Sequence, residues 1–194
     1  MAPTNKQLAM LRKDAELVHT KDAAYKKASD RDFILWLIMV LVAAFAVRLF
    51  IFEPVRVSGD SMYDTLLDGE RMFVEKVSYW FVRPQRGDIV ICYYPNHTVT
   101  CVKRVIAVAG DTISITNGEV YVNWEKIDES AYWEDTIWND MMPTVVPENC
   151  VFVMGDNRNA SSDSRSPSVG PIPYNRIVGR VRSVLWPFDR TRTL

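Results

Sequence analysis

Cysteine and histidine are scarce in this 194-residue chain, and neither sign of charge dominates it. Three cysteines, Cys92, Cys101 and Cys150, are too few for a disulfide scaffold. The two histidines, His19 and His97, form no Cys/His cluster with metal-ligand spacing, which excludes a zinc-type site. A formal net charge of -1 gives no electrostatic case for nucleic acid as a partner. Internal repeats and low-complexity linkers are lacking, so a solenoid is excluded. With 48% hydrophobic and 24% charged residues, the bulk of the chain is neither disordered nor fibrous.

The charges that are present are laid out unevenly. Residues 1–31 carry a surplus of Lys and Arg, and residues 53–194 a surplus of Asp and Glu. Between them, from Phe33 to Phe52, Arg48 is the only charge. Phe33 to Val47 is uninterruptedly apolar, and Leu49 to Phe52 continue the run. Twenty helical residues rise roughly 30 Å, the thickness of a bilayer's hydrocarbon core. Arg48 stands near the far end, where its long side chain can snorkel to the interface, and Pro54 stops the helix. A buried soluble helix is the competing reading. A cleaved signal peptide fits poorly, because the apolar core is long and no small-x-small site follows it. Lys21, Lys26, Lys27 and Arg31 precede the segment. The positive-inside rule therefore puts the N-terminus in the cytoplasm and the rest outside. The expected division is a cytoplasmic tail over 1–32, a transmembrane helix over 33–52 and an extracytoplasmic domain over 53–194.

About 140 residues suffice for one domain with its own core, and their pattern is mostly β. The expected strands are Met72–Val77, Asp88–Tyr94, Val99–Val108, Thr112–Thr116, Glu119–Val122, Val151–Met154 and Ile177–Val184. Asn117-Gly118 between two of them is a strong hairpin signal. Ser61–Leu67 could form a short helix. Residues 124–150 are less regular and hold Trp124, Trp133 and Trp138, read as peripheral core aromatics in preference to a lipid contact. Cys92 and Cys101 flank a Pro95-Asn96 turn, which leaves a bridge between them open.

Three segments carry chemistry. In Ser58-Gly59-Asp60-Ser61-Met62, small residues permit a tight turn that exposes a hydroxyl and frees its N–H. In Lys103-Arg104-Val105-Ile106, strand alternation groups Lys103 with Cys101, Val105 and Ala107, and Arg104 with Val102 and Ile106. That lysine is either a salt-bridge partner or a desolvated amine. The third, Gly155-Asp156-Asn157-Arg158-Asn159-Ala160-Ser161-Ser162-Asp163-Ser164-Arg165, is a dense polar loop at a strand end.

An apolar anchor followed in this order by S-G-D-S-M, K-R-V-I and G-D-N-R-x-x-S-x-D-S-R resembles the type I signal peptidase family of bacteria, in the short single-anchor form common in Gram-positive species. The resemblance covers about residues 33–182. Arg86-Gly87-Asp88-Ile89-Val90, Gly110-Asp111, Val120-Tyr121-Val122-Asn123 and Val146-Pro147-Glu148 match too. It implies a mainly β, all-β catalytic domain behind a single transmembrane helix, and a serine–lysine dyad with Ser61 as nucleophile and Lys103 as general base. Ser161 would orient the lysine amine, Asp163 and Arg165 would pair to hold the loop, and Asp156 and Arg104 would give structural support. The Ser61 N–H would contribute to the oxyanion hole. The chemistry suits the residue types. A serine hydroxyl needs a base, and burial lowers a lysine's pKa from about 10.4. Arginine stays charged and cannot serve. The implied substrates are signal-peptide-bearing preproteins emerging from the export machinery at the lipid bilayer, with no cofactor, metal or nucleic acid. The departures are Asp64 where many members have proline, Gly59 where some have a hydroxyl, and Ala107-Val108-Ala109 where G-x-P is usual. The rival readings are a self-cleaving repressor-type protease, a membrane-anchored binding or pilus-assembly factor on a peptidase-like fold, and a purely structural β domain.

Overall fold

The computed structural model describes residues 10, 16–17, 30–48, 52–95 and 100–194. The chain divides into two compact units, 1–47 and 48–194. The first carries a helix from residue 30 through the unit's end at residue 47, without glycine or proline to break it. From Phe33 to Val42 its large apolar side chains are exposed. No helix among the described residues is long and apolar enough to cross a membrane. Residues 49–51 of the expected span, most of the expected tail, and both histidines lie outside the described residues. One boundary is corrected: Phe52 and Pro54 belong to a strand, not to the end of the helix.

The second unit is mainly β. Its strands are β1 (Phe52–Arg56), β2 (Arg71–Glu75), β3 (Ile89–Tyr93), β4 (Thr100–Val108), β5 (Thr112–Thr116), β6 (Glu119–Val122), β7 (Glu125–Lys126), β8 (Met141–Val145), β9 (Cys150–Met154), β10 (Ile172–Pro173), β11 (Ile177–Trp186) and β12 (Arg192–Thr193). The larger sheet runs β1-β2-β11-β3-β4-β9-β10, with β12 added to β11, and the smaller runs β7-β6-β5-β8. Pro54 is tolerated because β1 pairs only with β2 and lies at the sheet edge. Pro143 stands likewise in the edge strand β8. That strand's five residues have no buried face, so it lacks the alternation that betrays a strand in sequence.

Asn117 and Gly118 both take positive φ, 52° and 78°, which is the type I′ geometry that joins β5 to β6. Register then follows. Ile113 faces Val122 and Ile115 faces Val120, and all four are buried with Ile106, Ala107, Phe152 and Met154 between the sheets. In the larger sheet β3 is buried on both faces. Ile89 and Ile91 pack with Met62, Leu66, Met72 and Val74. Val90 and Cys92 pack with Tyr94, Val105, Val151 and Val153.

Three further expectations are corrected. The pairing of β4 with β9 slips between Val105 and Ala107, leaving Ile106 as an extra residue. The bulge breaks the alternation, so Ala107 joins Ile106 in the inter-sheet core rather than lying with Lys103. Residues Ser61–Leu67 form turns in place of a short helix, with the Leu66 N–H donating to the Met62 carbonyl at 2.8 Å. Trp124 and Trp138 stand about three-quarters exposed, so they are not edge-of-core aromatics. Cys92 and Cys101 are direct cross-strand partners, yet both thiols are free.

Candidate active site

Ser61 sits in a loop, residues 58–69, closed at its neck by two backbone bonds. The Val57 N–H donates to Glu70 O at 2.8 Å and the Gly69 N–H to Val57 O at 3.0 Å. Gly59 supplies the left-handed turn, φ +88°, that brings the chain to Asp60 and Ser61. Met62 and Leu66, both fully buried, fix the depth of the loop in the core. Deleting either side chain would cost about 2–5 kcal/mol.

Lys103 comes from the middle of β4, 42 residues further along. It is 3% exposed. Its Nζ donates to Ser61 Oγ at 2.7 Å and to Val102 O at 2.9 Å. Burial pulls its pKa below the ordinary lysine value, against the opposing influence of Cys101, Asp163, Cys92 and Asp156. The Cys92 thiol is itself pushed up to about 12 by burial.

The loop from Gly155 to Arg165 frames this pair. The Asn157 N–H donates to Ser61 O, and Asn157 Nδ2 to Asp60 O, both at 3.1 Å. Asp156 is fully buried and takes a two-pronged Arg104 guanidinium at 2.8 and 2.7 Å. It also accepts the Thr65 hydroxyl at 2.5 Å, which ties the Ser61 loop, through Arg104, to β4. Asp163 accepts the Gly155 N–H at 3.0 Å and pairs with Arg165 through two bonds of 2.8 Å. Arg165 in turn donates to Arg158 O at 2.6 Å. Gly155 is packed so closely that a Cβ there would meet Ser61 O at 2.4 Å and Ser161 Oγ at 2.3 Å.

The expected bond between Ser161 and Lys103 is not formed. The lysine amine is already shared between Ser61 and Val102, and Ser161 Oγ is buried without a hydrogen-bond partner. Gly59 offers no hydroxyl to an oxyanion, and Ser58 is exposed. The Asp64 that replaces the usual proline is exposed too, after a cis peptide bond from Tyr63.

Sequence reasoning missed the outer support. Arg158, with a fully buried side chain, meets Glu129 at 2.5 Å. The Tyr132 ring lies against two guanidinium groups, Arg104 at 4.1 Å and Arg158 at 5.4 Å. Burial pushes the Glu129 carboxyl up, against the pull of Arg158. No motif marks Glu129 or Tyr132 in the sequence. The matched pieces Arg86-Gly87-Asp88 and Gly110-Asp111 turn out to be joined, with Arg86 forking onto Asp111 at 2.8 and 2.5 Å.

A serine hydroxyl within hydrogen-bond reach of a buried lysine amine has the geometry that nucleophilic catalysis requires. Comparison with known proteins gives the same direction. The family model described as signal peptidase, peptidase S26, matches residues 31–186. The chain is similar to a signal peptidase I of Bacillus licheniformis, 38% identical over 176 residues, covering 86% of this chain and 94% of that protein. A signal peptidase I of Bacillus amyloliquefaciens is 40% identical over 165 residues, covering 80% and 85%. The signal peptidase I T of Bacillus subtilis is 36% identical over 186 residues, covering 90% and 95%.

Proposed function

Since the chain belongs to the signal peptidase family, peptidase S26, we propose that it is a serine endopeptidase that removes signal peptides from exported preproteins, with Ser61 as nucleophile and Lys103 as general base. The contact of 2.7 Å between Ser61 Oγ and the Nζ of the buried Lys103 carries the assignment.

A free lysine is neutral in only about one molecule in a few thousand at pH 7. Burial of Lys103 raises that share. The neutral amine accepts the Ser61 proton as Oγ attacks the scissile carbonyl, and the resulting ammonium protonates the leaving amine. The amine then activates water to hydrolyse the acyl-enzyme. Among the described residues the Ser61 N–H has no hydrogen-bond acceptor, so it is free for the developing oxyanion. Asp163 and Arg165 hold the Gly155 loop, while Asp156 and Arg104 tie it to β4 and the nucleophile loop. Ser161 packs directly against Gly155, its Oγ without a hydrogen-bond partner.

An extended substrate has a place to pair. β4 is paired with β3 from Thr100 to Arg104, but β9 joins its other edge only from Arg104 onward. Among the described residues no strand pairs with the other edge of Thr100–Val102, so a substrate strand ending at Ser61 could add there, with Val102 O already taken by the Lys103 amine. Small side chains at alternate positions would face shallow pockets, giving a small-x-small preference. The apolar run from Phe33 would cross the cell membrane once and end before β1 begins at Phe52, with residues 1–32 cytoplasmic and the β domain outside. The support for that topology is the apolar run and its flanking lysines.

The test uses the full chain in detergent with a preprotein bearing a small-x-small site. Wild type should cleave after the second small residue, and Ser61→Ala and Lys103→Ala should not. Equal cleavage by Ser61→Ala would remove the nucleophile assignment.

A further inference from the structure

The last strand of the chain reaches into the loop that carries Ser61. β12 pairs with β11, Arg192 opposite Val184 and Thr193 opposite Ser183. The Leu194 N–H donates to Arg182 O at 3.0 Å, and Leu194 packs against the core beneath the loop. From this strand the Arg192 guanidinium forks onto Glu70 at 2.8 and 2.7 Å, and Nη2 also donates to Thr65 O at 2.6 Å. Glu70 is 1% exposed. Its carboxylate accepts the Leu67 N–H at 3.1 Å, and its backbone carbonyl closes the loop neck through Val57.

Thr65 is therefore held from two directions. Its hydroxyl goes to Asp156, on the side of the catalytic lysine. Its carbonyl goes to Arg192, on the far side. Met62 and Leu66 set how deep the loop lies. A polar grip on Thr65, between those two anchors, sets how the turn is rotated, and rotation is what aims Ser61 Oγ at Lys103. Arg192 lies beyond residues 31–186, the stretch that the family model matches.

We propose that Arg192 is a positioning residue for the Ser61 nucleophile, acting with Glu70 through the carbonyl of Thr65. This rests on the assignment of Ser61 as nucleophile. Removing Arg192 leaves Thr65 O without its guanidinium donor and Glu70 as a buried carboxylate without its cation. Burial alone would raise the Glu70 pKa, yet the Arg192 and Leu67 hydrogen bonds and the charges of Arg192 and Arg190 bring it below the ordinary value. The loop then relaxes, and the contact of 2.7 Å to Lys103 is lost for much of the time.

The experiment compares Arg192→Gln, Arg192→Lys and Glu70→Gln with wild type, as full chains in detergent. The readouts are kcat and KM per folded molecule, and amide hydrogen exchange across residues 58–69. Arg192→Gln should lower kcat by about 10- to 100-fold, the scale of an ångström misplacement, with KM nearly unchanged. Exchange should rise within 58–69 and not in β3 or β9. Arg192→Lys should recover part of kcat, since an ammonium can still reach Thr65 O. Glu70→Gln should lose less than Arg192→Gln, because it keeps the donor to Thr65. A kcat per folded molecule equal to wild type would overturn the proposal, as would exchange rising through the whole domain together. If wild type cleaves no preprotein, the assigned activity fails, while exchange still reports whether Arg192 holds the loop.

Discussion

Gly155→Ala should disable the enzyme while leaving it folded. The added Cβ would stand 2.4 Å from Ser61 O and 2.3 Å from Ser161 Oγ. The Ser161 hydroxyl can swing away, but its Cβ, at 2.5 Å, cannot, and the Ser61 carbonyl is backbone. Ordinary van der Waals contact begins near 3.4 Å, so the two chains must part by about 1 Å in a close-packed interior. That movement strains the bond of 3.1 Å from the Asn157 N–H to Ser61 O and carries Oγ away from Lys103. Misplacement on this scale costs ~100-fold in rate, or about 3 kcal/mol of barrier. The accompanying loss of stability is that of overpacking, about 1–3 kcal/mol. Gly87→Ala is the control. Gly87 has φ +87° and no atom within 4 Å of its would-be Cβ. Alanine there costs ~1–2 kcal/mol for the left-handed backbone and should leave kcat per folded molecule intact. The assay is kcat/KM on a preprotein, normalised to the folded fraction from near-ultraviolet circular dichroism. A Gly155→Ala enzyme within about threefold of wild type, under 1 kcal/mol of barrier, would refute the steric argument. So would an equal loss in Gly87→Ala.

Burial lowers the Lys103 pKa, and the lysine acts as a base only when neutral. The expected result is that kcat/KM rises with pH on a limb below the free-lysine value of about 10.4, and a limb at that value would contradict the assignment. Lys103→Arg should be inactive at every pH, because guanidinium keeps its charge. Arg104→Ala leaves the fully buried Asp156 without its guanidinium and removes the nearer of the two cations on Tyr132. A loss of about 3–5 kcal/mol is expected by denaturant titration, and a loss under ~1 kcal/mol would show that the pair does not support the loop.

The central strands were legible because their burial is periodic or complete. β3, β4, β5, β6, β9 and β11 each fall within two residues of the reading from sequence. The Asn117-Gly118 turn was legible because its two positive φ values call for those residues. The edge strands were not. β1 contains Pro54, and β8 presents exposed residues without alternation. Only the sheet order shows that a proline can be tolerated at both places. The bulge at Ile106 was equally hidden, because a slip of register is a property of two strands together. In the site, Ser61 and Lys103 were nameable from motif order, but not their contact across 42 residues. Glu129, Tyr132 and Arg192 stood out in no motif. Each is an ordinary polar side chain whose partner is chosen by tertiary packing.

That packing answers an electrostatic difficulty in the dyad. A lysine serves as a base only if it gives up its proton easily, and a free carboxylate nearby would hold the proton on. Two buried carboxylates, Asp156 and Asp163, do act on Lys103 in that sense. Each, however, is bound by its own two-pronged arginine, Arg104 for the first and Arg165 for the second. Their charge is thereby spent on a cation that cannot be deprotonated, and burial stays the largest influence on the lysine. The same carboxylates hold the Gly155 N–H and the Thr65 hydroxyl, one on each side of Ser61. The arginines thus serve two ends at once: they let acidic residues brace the Ser61 loop, and they weaken the pull by which those carboxylates favour the charged form of Lys103. On this argument, neutralising Asp156 alone would loosen the loop more than it would shift the lysine.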